Sequence, residues 1–353
     1  MSEINFATEL QEMGKAARAA ARKLALLQGA QKNRCLEAMA EALMDQSDAI
    51  REANRQDMEN GRAKGLTSAL LDRLELTSGR IEDMAKGLRT LVGLENPVGR
   101  VDATWIRPNG MKIRKVRVPI GVIAIIYEAR PNVTADAAGL CLKAGNAVFL
   151  RGGSEAIHSN RAIADVLRQG IRSCDLPEAV LQLLPWTERK AVDAMLKMDE
   201  YIDLVIPRGG EGLIRKVVET STIPVIKHYK GVCHIFVDKE ANQEMALSII
   251  ENAKCQRPGV CNAVETVLIH ADIANEFAPR LAELLSQEGV ELRGDPQFCQ
   301  LVASAKPATE DDWYEEYLDL ILSIRVVDNI DQAVEHISTY GSSHSEAIVT
   351  ENR

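Results

Sequence analysis

Cys261 stands in the run Gln256-Arg257-Pro258-Gly259-Val260-Cys261-Asn262, whose residue types and spacing suit covalent catalysis. A thiol is a strong nucleophile only as thiolate, and a positive or dipolar neighbourhood favours that form. Lys254 and Arg257 bring positive charge within a few residues, and Pro258-Gly259 predicts a loop that can present the sulfur. A free cysteine is also a small apolar side chain that usually packs inside, so the run alone leaves a buried structural role open for Cys261. Arg257 has three readings: it binds an anionic group of a substrate, it lowers the thiol pKa, or it sits in a surface ion pair.

Two other loops could hold an anion. In Phe149-Leu150-Arg151-Gly152-Gly153-Ser154 and in Ile206-Pro207-Arg208-Gly209-Gly210-Glu211, an apolar strand-like run ends in Arg-Gly-Gly and a helical stretch follows. Backbone amides at such a junction bind phosphate well. Neither loop is the G-x-G-x-x-G fingerprint, and a tight turn accounts for each one singly. Two on one sheet, each with an arginine, point to a phosphate-bearing ligand. Arg151 can fork onto a phosphate, whereas an acidic residue there would prefer a free ribose hydroxyl. Ser154 is neutral, which favours NADP over NAD on balance, although the acidic Glu155 directly after it points the other way. Asn132, in Glu128-Ala129-Arg130-Pro131-Asn132, offers an amide for an oxyanion or serves as a turn or helix-cap residue. The seven cysteines form no C-x-x-C pair and the six histidines no H-E-x-x-H, so no metal site is legible.

These residues need a scaffold. At 353 residues two domains are expected, and 46% hydrophobic with 26% charged residues is a globular composition. A net charge of −9 argues against nucleic acid as the main partner. No signal sequence and no membrane-length apolar run is visible, and scattered cysteines suit a reducing cytoplasm. The first hundred residues read as helices, with Leu36, Met39, Ala40, Leu43 and Met44 on one stripe and Ile81, Met84, Ala85, Leu88 and Val92 on another. Segments 101–106 and 112–118 flank Pro108-Asn109-Gly110 as a charged hairpin, either a subunit-contacting ribbon or a plain surface one. From 121 onward strands at 121–127, 146–150, 180–184, 202–206 and 233–237 alternate with helices at 135–143 and 154–171, and strands follow at 263–269, 320–327 and 346–349. That alternation predicts a doubly wound α/β fold with a mostly parallel sheet.

The whole chain resembles the gamma-glutamyl phosphate reductases, a branch of the aldehyde dehydrogenase superfamily. The resemblance rests on VIAIIYEARPNVT (122–134), LRGGSEAIHSN (150–160), VIPRGGEGLI (205–214) and QRPGVCNAVET (256–266). It is most specific over 327–348, with Ala333, His336-Ile337, Tyr340-Gly341-Ser342 and His344-Ser345-Glu346. The resemblance implies an aldehyde dehydrogenase-like fold, with an NADP-binding domain at 1–98 and 119–229, an oligomerisation hairpin at 99–118 and a catalytic domain at 230–353. By the same resemblance Cys261 rather than Cys255 is the nucleophile, and Asn132 lies near the oxyanion asparagine. Arg151 meets the adenosine ribose, Gly209 and Gly210 lie on the pyrophosphate side, and Glu316 meets the nicotinamide ribose.

Two departures from the superfamily matter. Hydrolytic members carry a glutamate base on the segment that here reads Pro224-Val225-Ile226-Lys227-His228-Tyr229-Lys230-Gly231, which has no carboxylate. That base activates the water that releases an acyl group, so its absence suits a reductase. The chain also stops at Asn352-Arg353 where family members continue, so the catalytic domain is expected to be C-terminally incomplete. The implied activity is NADPH-dependent reduction of L-glutamyl 5-phosphate to the 5-semialdehyde with release of phosphate, in proline biosynthesis. A cytoplasmic homo-oligomer fed by a glutamate kinase goes with it. The alternatives are a coenzyme A-acylating aldehyde dehydrogenase and a truncated, non-catalytic nucleotide-binding chain.

Overall fold

The computed structural model describes residues 6–128, 130–227 and 230–352. It divides into two compact units, Met1–His228 and Tyr229–Arg353.

The first unit opens with helices α1 (Phe6–Leu24), α2 (Gly29–Asp45), α3 (Ser47–Ala63), α4 (Ser68–Leu74) and α5 (Ser78–Gly93). Thr77 starts α5 by accepting the Arg80 N–H on its hydroxyl at 3.2 Å, which satisfies one free helix-end donor. Leu36, Met39, Ala40 and Leu43 are buried as the helical spacing predicts, but Met44 is 40% exposed. One residue past Leu43 is a rotation of about 100°, which turns Met44 off the apolar stripe. The predicted hairpin is present as β1 (Val101–Ile106) and β2 (Lys112–Val116), antiparallel. Gly110, at φ +81°, donates its N–H to the Arg107 carbonyl at 2.9 Å and closes the turn.

Next come β3 (Val122–Tyr127), α6 (Val133–Lys143), β4 (Ala147–Arg151), α7 (Ile157–Arg172), β5 (Leu181–Leu183), α8 (Arg189–Met195), β6 (Leu204–Arg208) and α9 (Glu211–Thr220). The strands form a parallel sheet in the order β5-β4-β3-β6. β3 is almost wholly apolar because helices cover both faces of such a sheet. Ile126 pairs with Arg151 and Tyr127 with Arg208, so β3, β4 and β6 end together and their following loops share one edge. The chain winds from β3 outward to β5 and then crosses to β6 on the other side of β3. The β3–β6 boundary is therefore the topological switch point, where ligands bind in such folds.

The second unit runs β7 (Cys233–Val237), α10 (Gln243–Cys255), β8 (Val264–His270), α11 (Ala271–Gln287), β9 (Glu291–Gly294), α12 (Pro296–Leu301), β10 (Lys306–Pro307), β11 (Ile321–Val327), α13 (Ile330–Tyr340) and β12 (Glu346–Val349). Its sheet is parallel, in the order β10-β9-β11-β8-β7-β12. The short strands β9 and β10, at one side of this sheet, were not legible in the sequence. β8, β7 and β12 are neighbours, so the loops that lead into them lie side by side at the amino edge of the sheet. Those loops are 256–263, 230–232 and 341–345.

Candidate active site

Cys261 lies between α10 and β8. Gln256 caps α10, its N–H donating to the Asn252 carbonyl at 3.2 Å, and Pro258 has no N–H with which to continue the helix. The chain then turns: the Ala263 N–H donates to the Val260 carbonyl at 3.0 Å, with Cys261 and Asn262 as the central residues. Cys261 is thereby half-buried on a turn. Lys254 and Glu265 flank this loop and pair at 2.7 Å, both side chains fully buried. They staple the end of α10 to the start of β8. Burial pushes Glu265 up and Lys254 down, and each holds the other toward its charged form. Lys254 is thus not the free cation beside the thiol that the sequence suggested, because an unpaired ammonium at that depth is very costly.

The loop entering β7 packs directly on Cys261. A Cβ on Gly231 would stand 2.1 Å from the Cys261 carbonyl oxygen and 3.0 Å from its Cα, so only glycine permits this approach. The Cys233 thiol donates to the same carbonyl oxygen at 3.3 Å and lies 3.5 Å from Nδ1 of His344. The loop entering β12 holds this segment in turn. Ser342 Oγ accepts the Val232 N–H at 2.9 Å, and Glu346 Oε2 accepts the His234 N–H at 3.0 Å. Lys230 pairs with Glu315 at 3.1 Å. His228 and Tyr229 lie outside the described residues.

Burial holds several of the other thiols protonated. Burial pushes Cys141 up to about 12 and raises Cys35 further. Cys255 ends α10, and burial raises its thiol first, with Glu288 and Glu251 adding to the rise. These thiols are poor thiolate donors at neutral pH.

In the first unit, Gly152 and Gly153 follow Arg151 into a short 3-10 turn, Ser154–Ala156, that leads to α7. A Cβ on Gly152 would stand 2.0 Å from Nδ2 of Asn160. Asn160 is fully buried, accepts the Thr134 hydroxyl at 3.1 Å and leaves Nδ2 without a partner among the described residues; the Thr134 and Tyr127 hydroxyls are 2.7 Å apart. Arg151 is half-buried, and that burial lowers its pKa; the charge of Glu155 opposes the shift and that of Arg189, a smaller effect, adds to it. Its Nε has no partner among the described residues. On the Arg208 loop the Gly210 N–H donates to Glu128 Oε2 at 2.9 Å, so one amide of this loop already holds a carboxylate. Asn132 stands at the start of α6 and gives its amide to Asp136 at 3.0 Å.

The aldehyde dehydrogenase family pattern matches residues 5–318. The gamma-glutamyl phosphate reductase of Geotalea daltonii is 57% identical over 347 residues, covering 98% of this chain and 83% of that protein. The solved gamma-glutamyl phosphate reductase of Thermotoga maritima superposes with a TM-score of 0.95 at 47% identity, over 98% of this chain and 83% of that one. The chain belongs to the gamma-glutamyl phosphate reductases of the aldehyde dehydrogenase family. An acetylating aldehyde dehydrogenase from Geobacillus thermoglucosidasius, covering 100% of this chain and 84% of that one, superposes at a TM-score of 0.67 but with only 15% identity, which reports the fold alone.

For a gamma-glutamyl phosphate reductase the placement of the expected residues is informative. The structure brings the loop 314–319 to β8 and β7 beside the Cys261 turn: Glu265 accepts the Leu318 N–H at 3.4 Å, and the charge of Glu316 raises both Glu265 and Cys233. Arg257 is exposed and has no partner among the described residues, so no ion pair occupies it. Arg151, Gly152, Gly153, Ser154, Arg208, Gly209 and Gly210 all lie on the carboxyl edge of the first unit's sheet. Among the described residues no cluster of three or more His, Cys, Asp or Glu could hold a metal, and no helix is long and apolar enough to cross a membrane. The sequence reading missed Glu128, Asn160 and Cys233. A polar Asn within an apolar helical stripe was the one local hint, at Asn160.

Proposed function

We propose that this chain reduces L-glutamyl 5-phosphate to L-glutamate 5-semialdehyde with NADPH, releasing phosphate, through a thioester on Cys261. The carrying observation is the loop entering β7, which touches Cys261 through Gly231 and belongs to a segment without a carboxylate. The Cys261 thiolate attacks the acyl carbon, the carbon–sulfur bond forms, and the bond to the phosphate oxygen breaks. The Cys261 backbone N–H steadies the oxyanion as it develops. With no carboxylate on the segment 224–231 to activate water, the acyl group stays on sulfur. A bound nicotinamide supplies the hydride that brings the acyl group to the aldehyde level. The carbon–sulfur bond then breaks and returns the thiolate.

The first unit suits the cofactor. Arg151 beside Arg189, with an unpartnered Nε, supports a 2′-phosphate and hence NADP. Gly152, Gly153 and Ser154 would carry the adenosine side, and Arg208, Gly209 and Gly210 the pyrophosphate side, with Glu128 yielding the Gly210 amide. Glu316 would meet the nicotinamide ribose, and exposed Arg257 the substrate's anionic groups. An acyl phosphate substrate implies a kinase acting on glutamate upstream. The hairpin at 99–118 exposes Trp105 and Ile106, which supports subunit contact in a homo-oligomer.

NADPH oxidation with freshly generated glutamyl phosphate tests the reading, as does the reverse reaction from semialdehyde, phosphate and NADP. Cys261→Ala is expected to abolish turnover and Cys255→Ala to retain it. Normal turnover by Cys261→Ala refutes the thioester route, and a requirement for coenzyme A in place of phosphate refutes the substrate.

A further inference from the structure

Cys233 opens β7 and is only 4% exposed, yet its thiol is not packed as a plain hydrophobe. The sulfur lies between the Cys261 carbonyl oxygen, at 3.3 Å, and Nδ1 of His344, at 3.5 Å. One S–H can donate only once. With that proton on the Cys261 carbonyl, the contact to His344 is a ring N–H donating to sulfur. Burial, foremost, and the nearby Glu346 push the Cys233 thiol up to about 12, so the donated proton stays in place through neutral pH.

We propose that Cys233, oriented by His344, is a positioning residue for the chemistry of Cys261. It holds the Cys261 carbonyl and so fixes the turn that carries both the attacking sulfur and the oxyanion-binding N–H. The proposal rests on Cys261 being the nucleophile, as argued above.

Three contacts converge on this arrangement. The Gly231 main chain presses on the Cys261 carbonyl from one side, the Cys233 thiol hydrogen-bonds it, and Ser342 and Glu346 anchor the main chain on either side of Cys233. The run 340–346, otherwise without a role, thereby acts on the nucleophile through one intermediary. The Cys261 carbonyl shares its peptide plane with Asn262, so a carbonyl free to rotate would loosen the Val260–Ala263 turn and with it the placement of the sulfur and the Cys261 N–H. That N–H matters most when charge develops on the substrate oxygen, so the effect falls on kcat rather than on KM.

Steady-state kinetics of the full chain are combined with peptide-mapped iodoacetamide labelling of Cys261 in the absence of substrate. Cys233→Ala is expected to lower kcat about fivefold to tenfold, the worth of one lost hydrogen bond, with KM within about twofold. It should also change the Cys261 labelling rate. Cys233→Ser, which keeps a donor, should recover to within about threefold of the wild type. His344→Ala should lower kcat alone but add nothing to Cys233→Ala. Wild-type kcat in Cys233→Ala or His344→Ala, or equal impairment of the Ala and Ser variants, overturns the proposal. If Cys233→Ala does not fold, Cys233→Ser and His344→Ala still decide it. A wild type inactive on glutamyl phosphate refutes the substrate assignment instead, and the labelling rates then test the positioning role alone: no change in either variant overturns it.

Discussion

Gly231→Ala is the sharpest test of how the Cys261 turn is held. The new Cβ would lie 2.1 Å from the Cys261 carbonyl oxygen, 2.9 Å from its carbon and 3.0 Å from its Cα. Every one of these atoms is main chain, so no side chain can swing aside. Ordinary contact requires a displacement of about 1 Å in a close-packed interior. Overpacking of this kind costs about 1–3 kcal/mol of stability. Moving a reacting group by about 1 Å lowers the rate about a hundredfold. The expected result is a folded enzyme with kcat reduced about a hundredfold and a lowered urea midpoint. Stopped-flow or steady-state NADPH oxidation reads the first, and intrinsic fluorescence in urea reads the second. A folded Gly231→Ala enzyme with kcat within about threefold of the wild type would refute the backbone contact as the device that holds Cys261.

Two further outcomes are expected. His336 is buried, its Nδ1 3.0 Å from an Arg325 amino nitrogen that can only donate, and burial first, then His234 and Arg325, push its pKa down to about 3. The unfolded chain therefore binds this proton at a higher pH than the folded one. Stability falls as pH drops below about 6.5, by about 1.4 kcal/mol per unit down to about pH 3. Urea unfolding at pH 5 and pH 7 should show that loss, and His336→Phe should flatten it; an unchanged slope in the variant assigns the effect elsewhere. Arg151→Ser should raise KM for NADPH at least about tenfold more than KM for NADH, since a guanidinium fork recognises a phosphate specifically. Equal changes for the two cofactors would remove Arg151 from the 2′-phosphate.

The sequence by itself determined the element types, the parallel α/β class and the catalytic candidate. Apolar periodicity is local information: a buried strand such as β3 must read as a continuous apolar run, and a covered helix must read as a stripe. The Arg-Gly-Gly loops were visible for the same reason, since glycine at a strand end marks a place where main chain must approach something closely. Met44 shows the limit even there, because one extra apolar residue at the rim of a stripe does not say which way it turns.

What the tertiary structure decided is which groups face each other. Lys254 and Cys261 are seven residues apart and looked like partners, but Lys254 found Glu265 across the loop, because burial penalises an unpaired charge more than sequence proximity rewards a near one. Glu128 and Gly210 are brought together only by the pairing of β3 with β6. Cys233 opens β7, whereas Cys261 and His344 stand in the loops entering β8 and β12, and only the strand order β8-β7-β12 lays these three places along one edge. Cys261 was legible as a candidate from its own neighbours and was chosen by the family resemblance, but what holds it was not legible, since hydrogen bonds and close contacts between distant segments leave no periodic trace in a sequence.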